Sequence, residues 1–423
     1  MQDCFSLMNP PTRFPPQADP DWPTRSVPFF SPSALGLYVH LPWCVRKCPY
    51  CDFNSYARRG ALPESRYLDA LCRDLAQNAE GLQDRTVTSI FLGGGTPSLF
   101  SASGVRRLLD QVRNTFRISS QLEVTLEANP GTAEASRFAG YRDSGVTRLS
   151  LGIQSFSDVS LAALGRIHSG EAGRSAFKMA RSAGFDSINL DLMYGLPGQG
   201  PDMASDDLSQ ALSLEPDHLS YYELTIESGT AFARKPPQRP GDEVMEEIEN
   251  RAQERLARNG YHRYEVSAYA RRPETICRHN FLYWQYGDYL GLGAGAHSKL
   301  SRNRRVRRSA RIQHPILYME RLECGSSPEQ EWWPTPPEVR FEFFLNALRL
   351  ADGFPPALYT QQTGEPLSAV WNLLKSLEER GLLTVDSRGI RPTLRGYALL
   401  NEVTASFLPE THDIHPSRLG PAA

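Results

Sequence analysis

The sequence predicts an α/β fold, a partial (β/α)6 barrel followed by a C-terminal, mainly helical, winged-helix-like domain. Three observations carry this prediction. From Leu35 onward, short β-rich runs alternate with amphipathic helical stretches, the pattern that a parallel sheet with crossover helices requires. Loops rich in cysteine, glycine and polar residues follow successive strands, where parallel α/β folds gather their ligands. A Pro/Trp-rich break over Ser326–Pro337 separates this region from a final set of helical and hairpin patterns.

Taken in order, residues 1–33 carry eight prolines and little apolar periodicity, which predicts a flexible lead-in. Strands are expected at Leu35–Leu41, Thr88–Leu92, Glu123–Glu127, Arg148–Ile153, Ser187–Met193 and Leu219–Ile226. Amphipathic helices are expected between them at Glu64–Glu80, Gly104–Phe116, Ala133–Ser144, Glu171–Ala183 and Asp202–Leu214. A complete eight-unit barrel and a doubly wound sheet are the competing arrangements. The division expected is a barrel over 34–300, an arginine-rich stretch and linker over 301–337, a helical domain over 338–408 and a disordered tail over 409–423. That last domain should comprise Val339–Leu350, Leu367–Arg380, a strand pair Leu382–Val385 and Gly389–Pro392, and Leu394–Leu408. It is not notably basic, so the winged pattern reads as a lid or partner-docking unit rather than a DNA reader.

Composition narrows the function classes. A net charge of −2 over 423 residues gives no bulk attraction to nucleic acid or anionic membrane. Neither a signal-peptide pattern nor an apolar run long enough to span a bilayer is present, so a cytoplasmic protein with at most peripheral membrane contact is expected. Seven cysteines, sparse and odd in number, fit a reducing compartment rather than a disulfide scaffold.

Three of them, Cys44, Cys48 and Cys51, stand in Cys-Val-Arg-Lys-Cys-Pro-Tyr-Cys directly after the first strand. One tight loop with three thiolates suits the corner of a [4Fe–4S] cluster and leaves one iron open to a small molecule. The competing reading is a zinc site completed by His40. At the ends of later strands lie Gly93–Ser98, Glu127, Asn129, Gln154 and Asp191, with Arg166 on a following helical segment. Each alone reads as a structural hydrogen bonder or a tight βα turn; together they surround the expected cluster loop.

Cys-x3-Cys-x2-Cys after the first strand, with Gly-Gly-Gly-Thr-Pro after the second, resembles the radical S-adenosylmethionine (radical SAM) superfamily. Tyr38-Val-His-Leu-Pro-Trp-Cys44, Glu127-Ala-Asn-Pro130, Leu151-Gly-Ile-Gln-Ser-Phe156 and Asp191-Leu-Met-Tyr-Gly-Leu-Pro-Gly198 extend the resemblance to its HemN/HemW branch over roughly residues 35–405. The resemblance implies that Cys44, Cys48 and Cys51 ligate the cluster and that SAM is held on the open iron. It places Gly94, Gly95 and Thr96 at the methionine amino end, Arg166 at the carboxylate, Asp191 at the ribose, Tyr50 along the adenine, and Glu127, Gln154 and Tyr38 around the same cavity. Coproporphyrinogen dehydrogenases of this branch have a fourth cysteine two positions after the third; here it is Phe53, the pattern of the HemW group of haem chaperones.

The segment Cys277-Arg-His279-Asn280-Phe-Leu-Tyr283-Trp284 resembles the His-Asn-x-x-Tyr-Trp motif associated with haem handling in that group. By this resemblance His279, Asn280, Tyr283 and Trp284 bind haem, and the partners are haem and client haemoproteins such as respiratory enzymes. On composition alone the same residues would cap a turn and fill core space. The expected function is haem chaperoning, with an oxygen-independent coproporphyrinogen III dehydrogenase, or another porphyrin-acting radical SAM enzyme, as the alternative. Lys299–Arg311 is arginine-dense and reads first as a solvated loop, second as a partner for haem propionates or anionic lipid. Gly291–His297 reads as close backbone packing near the cavity.

Overall fold

The computed structural model describes residues 30–132, 135–303, 305–386 and 388–409. Most of the proline-rich lead-in, the tail after Pro409 and the expected start of one helix at Ala133 therefore lie outside the described residues. In chain order the strands are β1 (Ala34–Leu41), β2 (Trp43–Cys44), β3 (Tyr56–Ala57), β4 (Thr86–Gly94), β5 (Arg117–Ala128), β6 (Arg148–Gln154), β7 (Ser187–Tyr194) and β8 (His218–Glu223). They continue with β9 (His262–Glu265), β10 (Ala268–Ala270), β11 (Tyr289–Leu292), β12 (His297–Arg302), β13 (Arg305–Arg311), β14 (Glu329–Trp332), β15 (Leu383–Asp386) and β16 (Gly389–Pro392).

The six expected strands β1, β4, β5, β6, β7 and β8 lie side by side in chain order, and every pairing between them is parallel. Helices Glu64–Asn78, Ala102–Thr115, Ala135–Ser144, Gly170–Ser182 and Pro201–Ser213 make the crossovers. Local chemistry starts them: Ser101 Oγ accepts from the Gly104 N–H at 3.0 Å, Ser169 Oγ from Ala172 at 3.2 Å, and Pro201 opens its helix at a position where a missing N–H costs nothing. Leu35, Leu37, Val39, Ile90, Leu92, Val124, Leu126, Leu149 and Leu151 bury one sheet face against these helices. Because side chains alternate along a strand, the opposite face carries Tyr38, Glu127, Arg148, Asn189, Asp191 and His218. That face is polar and hydrogen-bonded within itself: His218 Nδ1–H donates to Asn189 Oδ1 at 2.7 Å and Nε2 accepts from the Tyr264 hydroxyl at 2.9 Å, while Asn189 Nδ2 donates to Asp191 at 2.8 Å.

The sheet is larger than six strands. β11 adds in parallel beside β1, antiparallel β12, β13 and β14 extend that edge, and antiparallel β10 and β9 extend the other, giving a twelve-stranded open sheet. The arginine-dense stretch is thus a strand pair rather than the solvated loop expected. Several of its cations are taken by acids of other elements: Arg311 is fully buried between Asp74 (3.2 Å) and Glu329 (3.1 Å), Lys299 meets Asp288 at 3.0 Å, and Arg308 meets Glu342 at 2.7 Å. The Pro/Trp-rich stretch, expected to be a linker, contains β14.

The C-terminal unit is helical with a small β15–β16 hairpin, as expected. Phe343, Phe344, Phe354, Tyr359, Leu374, Leu377 and Phe407 form its core, which also takes in Tyr286 and Val306 of the barrel region. Tyr286 donates to Glu342 at 2.6 Å and Arg349 pairs with Glu265 at 2.9 Å across the same junction.

Candidate functional site

The cysteine loop leaves β1 at Leu41 and is pinned at several points by backbone hydrogen bonds. Tyr56 N–H donates to Pro42 O and Arg58 N–H to Cys44 O, both at 2.8 Å, which pairs β2 with β3. Gly95 N–H donates to Leu41 O (2.9 Å), Thr96 N–H to Trp43 O (2.8 Å) and Phe232 N–H to Pro49 O (2.9 Å), so the loop is stitched to the end of β4 and to the short helix Ala231–Arg234. A methyl at Gly95 would stand 2.6 Å from Trp43 O; only glycine lets the two loops touch. The glycine run is therefore structural support for the cysteine loop.

His40 does not join the cysteines. Its Nε2–H donates to Asn54 O at 2.8 Å, which leaves Nδ1 to accept from the Tyr38 hydroxyl at 2.9 Å. Burial lowers its pKa to about 4, so it stays neutral. Among the described residues no group of three or more His, Cys, Asp or Glu converges as a single metal ion requires. The zinc reading thus loses its fourth ligand.

Cys44, Cys48 and Cys51 are half-buried and unbridged. Burial raises the Cys44 and Cys51 thiols, and neighbouring thiolates of the trio raise them further, so ionising this set calls for a cationic partner. Cys48 Sγ lies 3.7 Å from Arg166 Nη1. Arg166 Nη2 donates to Gly152 O at 2.7 Å and also to Asn129 Oδ1, and Asn129 donates to Thr96 Oγ1 at 3.0 Å. Arg166 Nε is buried without a partner, an N–H that a carboxylate would satisfy. A cleft lined by Val45, Cys48, Thr96, Asn129, Arg166 and His168 joins these groups.

Gln154 sits at a bulge where the β6–β7 register shifts, with φ of 69°, a left-handed conformation that side chains rarely adopt. Its Oε1 accepts from the Tyr222 hydroxyl at 2.7 Å. The bulge turns it toward its neighbours: a methyl at Gly152 would lie 3.1 Å from Gln154 Nε2 and 3.0 Å from Asn129 Oδ1. Strain of this kind, held by surrounding structure, belongs to ligand sites. Glu127 accepts from Gly94 N–H at 3.1 Å; burial, and then the charge of Asp191, pushes its carboxyl up to about 8. Burial raises Asp191 as well, against hydrogen bonds from Ser220, Ser150 and Asn189. Tyr50 lies beside Arg166 and Phe232, its ring centre 6.5 Å from that of Phe232. Asn129, seen in the sequence only as a strand end, and Tyr222, which carried no signal there, complete the cluster of polar groups.

His279 belongs to a different level of the sheet. It lies on the helix Arg278–Trp284, against Gly36 and Ser89 early in β1 and β4, whereas the cysteines follow the far end of β1. Both ring nitrogens are engaged, Nδ1 with Ser89 Oγ at 2.9 Å and Nε2 with the Tyr283 hydroxyl at 3.0 Å, and burial lowers its pKa to about 3. Its ring stacks on Phe91 at 5.3 Å, and Phe91 in turn stacks on Tyr38 at 6.3 Å. Trp284 carries the Arg349 guanidinium 4.3 Å over its ring, while Cys277, raised by burial to about 12, lies 3.8 Å from Glu123 Oε1. Asn280 is half-buried on the same helix. These residues form a floor beneath the polar face.

Comparison with known proteins places this arrangement. Residues 38–211 match the radical SAM superfamily model and residues 335–399 the HemN C-terminal domain. The heme chaperone HemW of Haemophilus influenzae is 42% identical over 381 residues, covering 89% of this chain and 98% of that protein. This chain belongs to the HemW family of the radical SAM superfamily. HemW of Escherichia coli is 42% identical over 377 residues, and HemW of Mycobacterium tuberculosis 37% identical over 381 residues, covering 98% and 95% of those proteins and 89% and 88% of this one. The solved structure of coproporphyrinogen III oxidase (HemN) from Escherichia coli shares the fold of this HemW-family chain, with a TM-score of 0.75, 24% identity and 90% of each chain covered.

Proposed function

We propose that this protein binds haem and delivers it to haemoproteins, among them respiratory enzymes, carrying a [4Fe–4S] cluster and SAM. Phe53 carries the choice between chaperone and dehydrogenase: it stands where the dehydrogenases place a fourth cysteine, and it is 61% exposed on the cysteine loop. The name heme chaperone HemW, borne by relatives that align over nearly their whole length, supports the same reading.

The residues present fit both cofactors. Cys44, Cys48 and Cys51 would hold the cluster, their costly ionisation offset by its iron. The orphaned Arg166 Nε–H would meet the SAM carboxylate, with Gln154 aimed by its bulge and Gly94, Gly95 and Thr96 at the amino end. Asp191 would take the ribose hydroxyls, Tyr50 would line the adenine, and Glu127 and Tyr38 would bound the cavity. When bound, cluster and SAM supply one-electron chemistry. The protein's own contribution is to fix the carboxylate, hold Glu127 protonated near neutral pH and exclude water from a polar but internally bonded face.

We infer that haem is held through His279, Asn280, Tyr283 and Trp284, with the chain in the cytoplasm and at most peripheral on a membrane; no helix among the described residues is long and apolar enough to cross one. For His279 to reach haem iron it must release Ser89 or Tyr283, so coordination would be coupled to movement of the helix Arg278–Trp284. The test is anaerobic haem titration of wild type and His279→Ala, followed by haem transfer to an apo-haemoprotein. Weaker haem binding in the variant, with the cluster absorption intact, is expected; unchanged affinity removes the motif from the haem site.

A further inference from the structure

The helix Arg278–Trp284 is held at its two ends by different parts of the molecule. At its start Glu123 Oε1, on β5, accepts from the His279 N–H at 3.2 Å, and Arg278 Nη1 donates to Gln121 Oε1 at 3.1 Å, so this end is tied to the sheet. Its far end runs into Tyr286, which is buried and has φ of 54°, a conformation that a tyrosine keeps only where its surroundings hold it. Two clamps do so. Lys299 Nζ donates to Tyr286 O at 2.6 Å, and the Tyr286 hydroxyl donates to Glu342 Oε2 at 2.6 Å. Glu342 belongs to the helix Pro336–Ala347 of the C-terminal unit.

The same carboxylate oxygen reaches His279 by a second route. Arg308 donates to it from Nε at 3.0 Å and from Nη2 at 2.7 Å, and donates from Nη1 to the Tyr289 hydroxyl at 2.8 Å. The Tyr289 ring centre lies 4.4 Å from that of Tyr283, whose hydroxyl is 3.0 Å from His279 Nε2. A third contact crosses the junction at Trp284: the Arg349 guanidinium lies 4.3 Å over the indole and is fixed by Glu265 at 2.9 Å. The junction is not fully satisfied. Trp284 Nε1, Gln285 Nε2 and Arg349 Nε are buried donors without a hydrogen-bond partner, and opening would return each of them to water. Strain at Tyr286 and unpaired donors on both sides make this a place where the fold opens locally at low cost.

We propose that Glu342 and Arg349 are positioning residues through which the C-terminal unit holds the helix Arg278–Trp284 where His279 bonds Tyr283 instead of haem iron. The inference rests on the reading of His279 as the haem ligand. Separation of the two units breaks the contacts of Tyr286 and Trp284 but leaves Glu123 on the His279 N–H, so the helix swings about its first turn. Tyr283 then leaves Nε2. With its proton on Nδ1 toward Ser89, His279 offers the Nε2 lone pair to iron. The step is ligation alone: one N–Fe bond forms, one hydrogen bond from Tyr283 breaks, and no electron is exchanged. Haem thus meets a chain of which only the opened fraction is competent, and its apparent affinity is reduced by that fraction.

The test uses the full-length protein with haemin as the probe. Stopped-flow Soret absorbance gives the association rate, equilibrium titration gives the affinity, and hydrogen–deuterium exchange without haemin reports the opening of residues 278–287. Glu342→Gln weakens the hold on Arg308, Tyr286→Phe removes a single hydroxyl, and Arg349→Met removes the cation over Trp284. In each variant haemin association should rise by about tenfold and exchange at 278–287 should quicken, while exchange in β1 and β4 stays as in wild type. Arg349→Lys, which keeps a cation there, should return most of the way to wild type. Adding His279→Ala should abolish the gain, a result that mere loosening of the fold would not give. Three results overturn the proposal: association unchanged or slower in folded Tyr286→Phe and Arg349→Met proteins, exchange at 278–287 no faster, or a gain that survives His279→Ala. If His279→Ala alone binds haemin as wild type does, the ligand reading fails, while exchange still decides whether the C-terminal unit holds the helix.

Discussion

Gly94→Ala should disable the cysteine loop from a distance. Gly94 has φ of 109°, and an added methyl would lie 2.4 Å from His40 Cε1, 2.6 Å from Nδ1 and 2.8 Å from Nε2. The imidazole cannot yield without breaking its bonds to the Tyr38 hydroxyl and to Asn54 O. Left-handed strain costs about 1–3 kcal/mol, and each broken hydrogen bond about 0.5–1.5 kcal/mol. Together these put the loss at about 2–6 kcal/mol, a large share of the stability of an ordinary domain. Urea unfolding of wild type, Gly94→Ala, His40→Ala and the double variant forms a cycle in which the double variant should recover part of the loss, because the clashing ring is gone. Asn54 lies between Cys51 and the next strand, so reconstituted iron per chain should fall in Gly94→Ala more than in His40→Ala. A cost below about 1 kcal/mol, or losses that simply add in the double variant, would refute the reasoning.

Two further perturbations address the ligand-facing groups. Arg166→Lys keeps the charge but loses the fork that serves Gly152 O, Asn129 and the free Nε–H, so SAM affinity in equilibrium dialysis should drop about ten- to hundredfold while the thermal midpoint moves little; unchanged affinity would remove Arg166 from the carboxylate. Glu127 is raised to about 8 in the folded chain, so it favours the protonated fold: stability should be greatest below its unfolded pKa and decline as pH rises through about 8. Glu127→Gln should flatten that part of the pH profile in urea titrations, and an unaltered slope would show that Glu127 ionises freely.

The six parallel strands were legible because each pairs with its sequence neighbour and repeats one local pattern. Residues 289–292 gave no such signal. β11 reaches its place beside β1 only after the chain has passed all the other parallel strands, and a four-residue run does not announce a long-range pairing. The arginine hairpin misled for a related reason. Arg-Val-Arg-Arg-Ser-Ala-Arg reads as solvated until Asp74, Glu329, Glu331 and Glu342, all remote in sequence, supply the partners that let it fold as β13. In the site, Cys44, Cys48, Cys51 and Gln154 were visible as chemistry at strand ends, and Arg166 as a cation expected on the next helical segment, where the structure has it in the loop between the helices Asp158–Ala163 and Gly170–Ser182. The Tyr38–His40–Asn54 chain, the orphaned Arg166 Nε and the burial of both His279 nitrogens were not, because each depends on what tertiary packing places opposite a side chain.

The most direct test of the central claim is anaerobic incubation of the cluster-reconstituted protein with SAM, reductant and coproporphyrinogen III, with chromatography of the porphyrins and a parallel haem titration. The account predicts stoichiometric haem binding and intact coproporphyrinogen. Decarboxylated porphyrin, formed with Phe53 in place of the fourth cysteine, would contradict it.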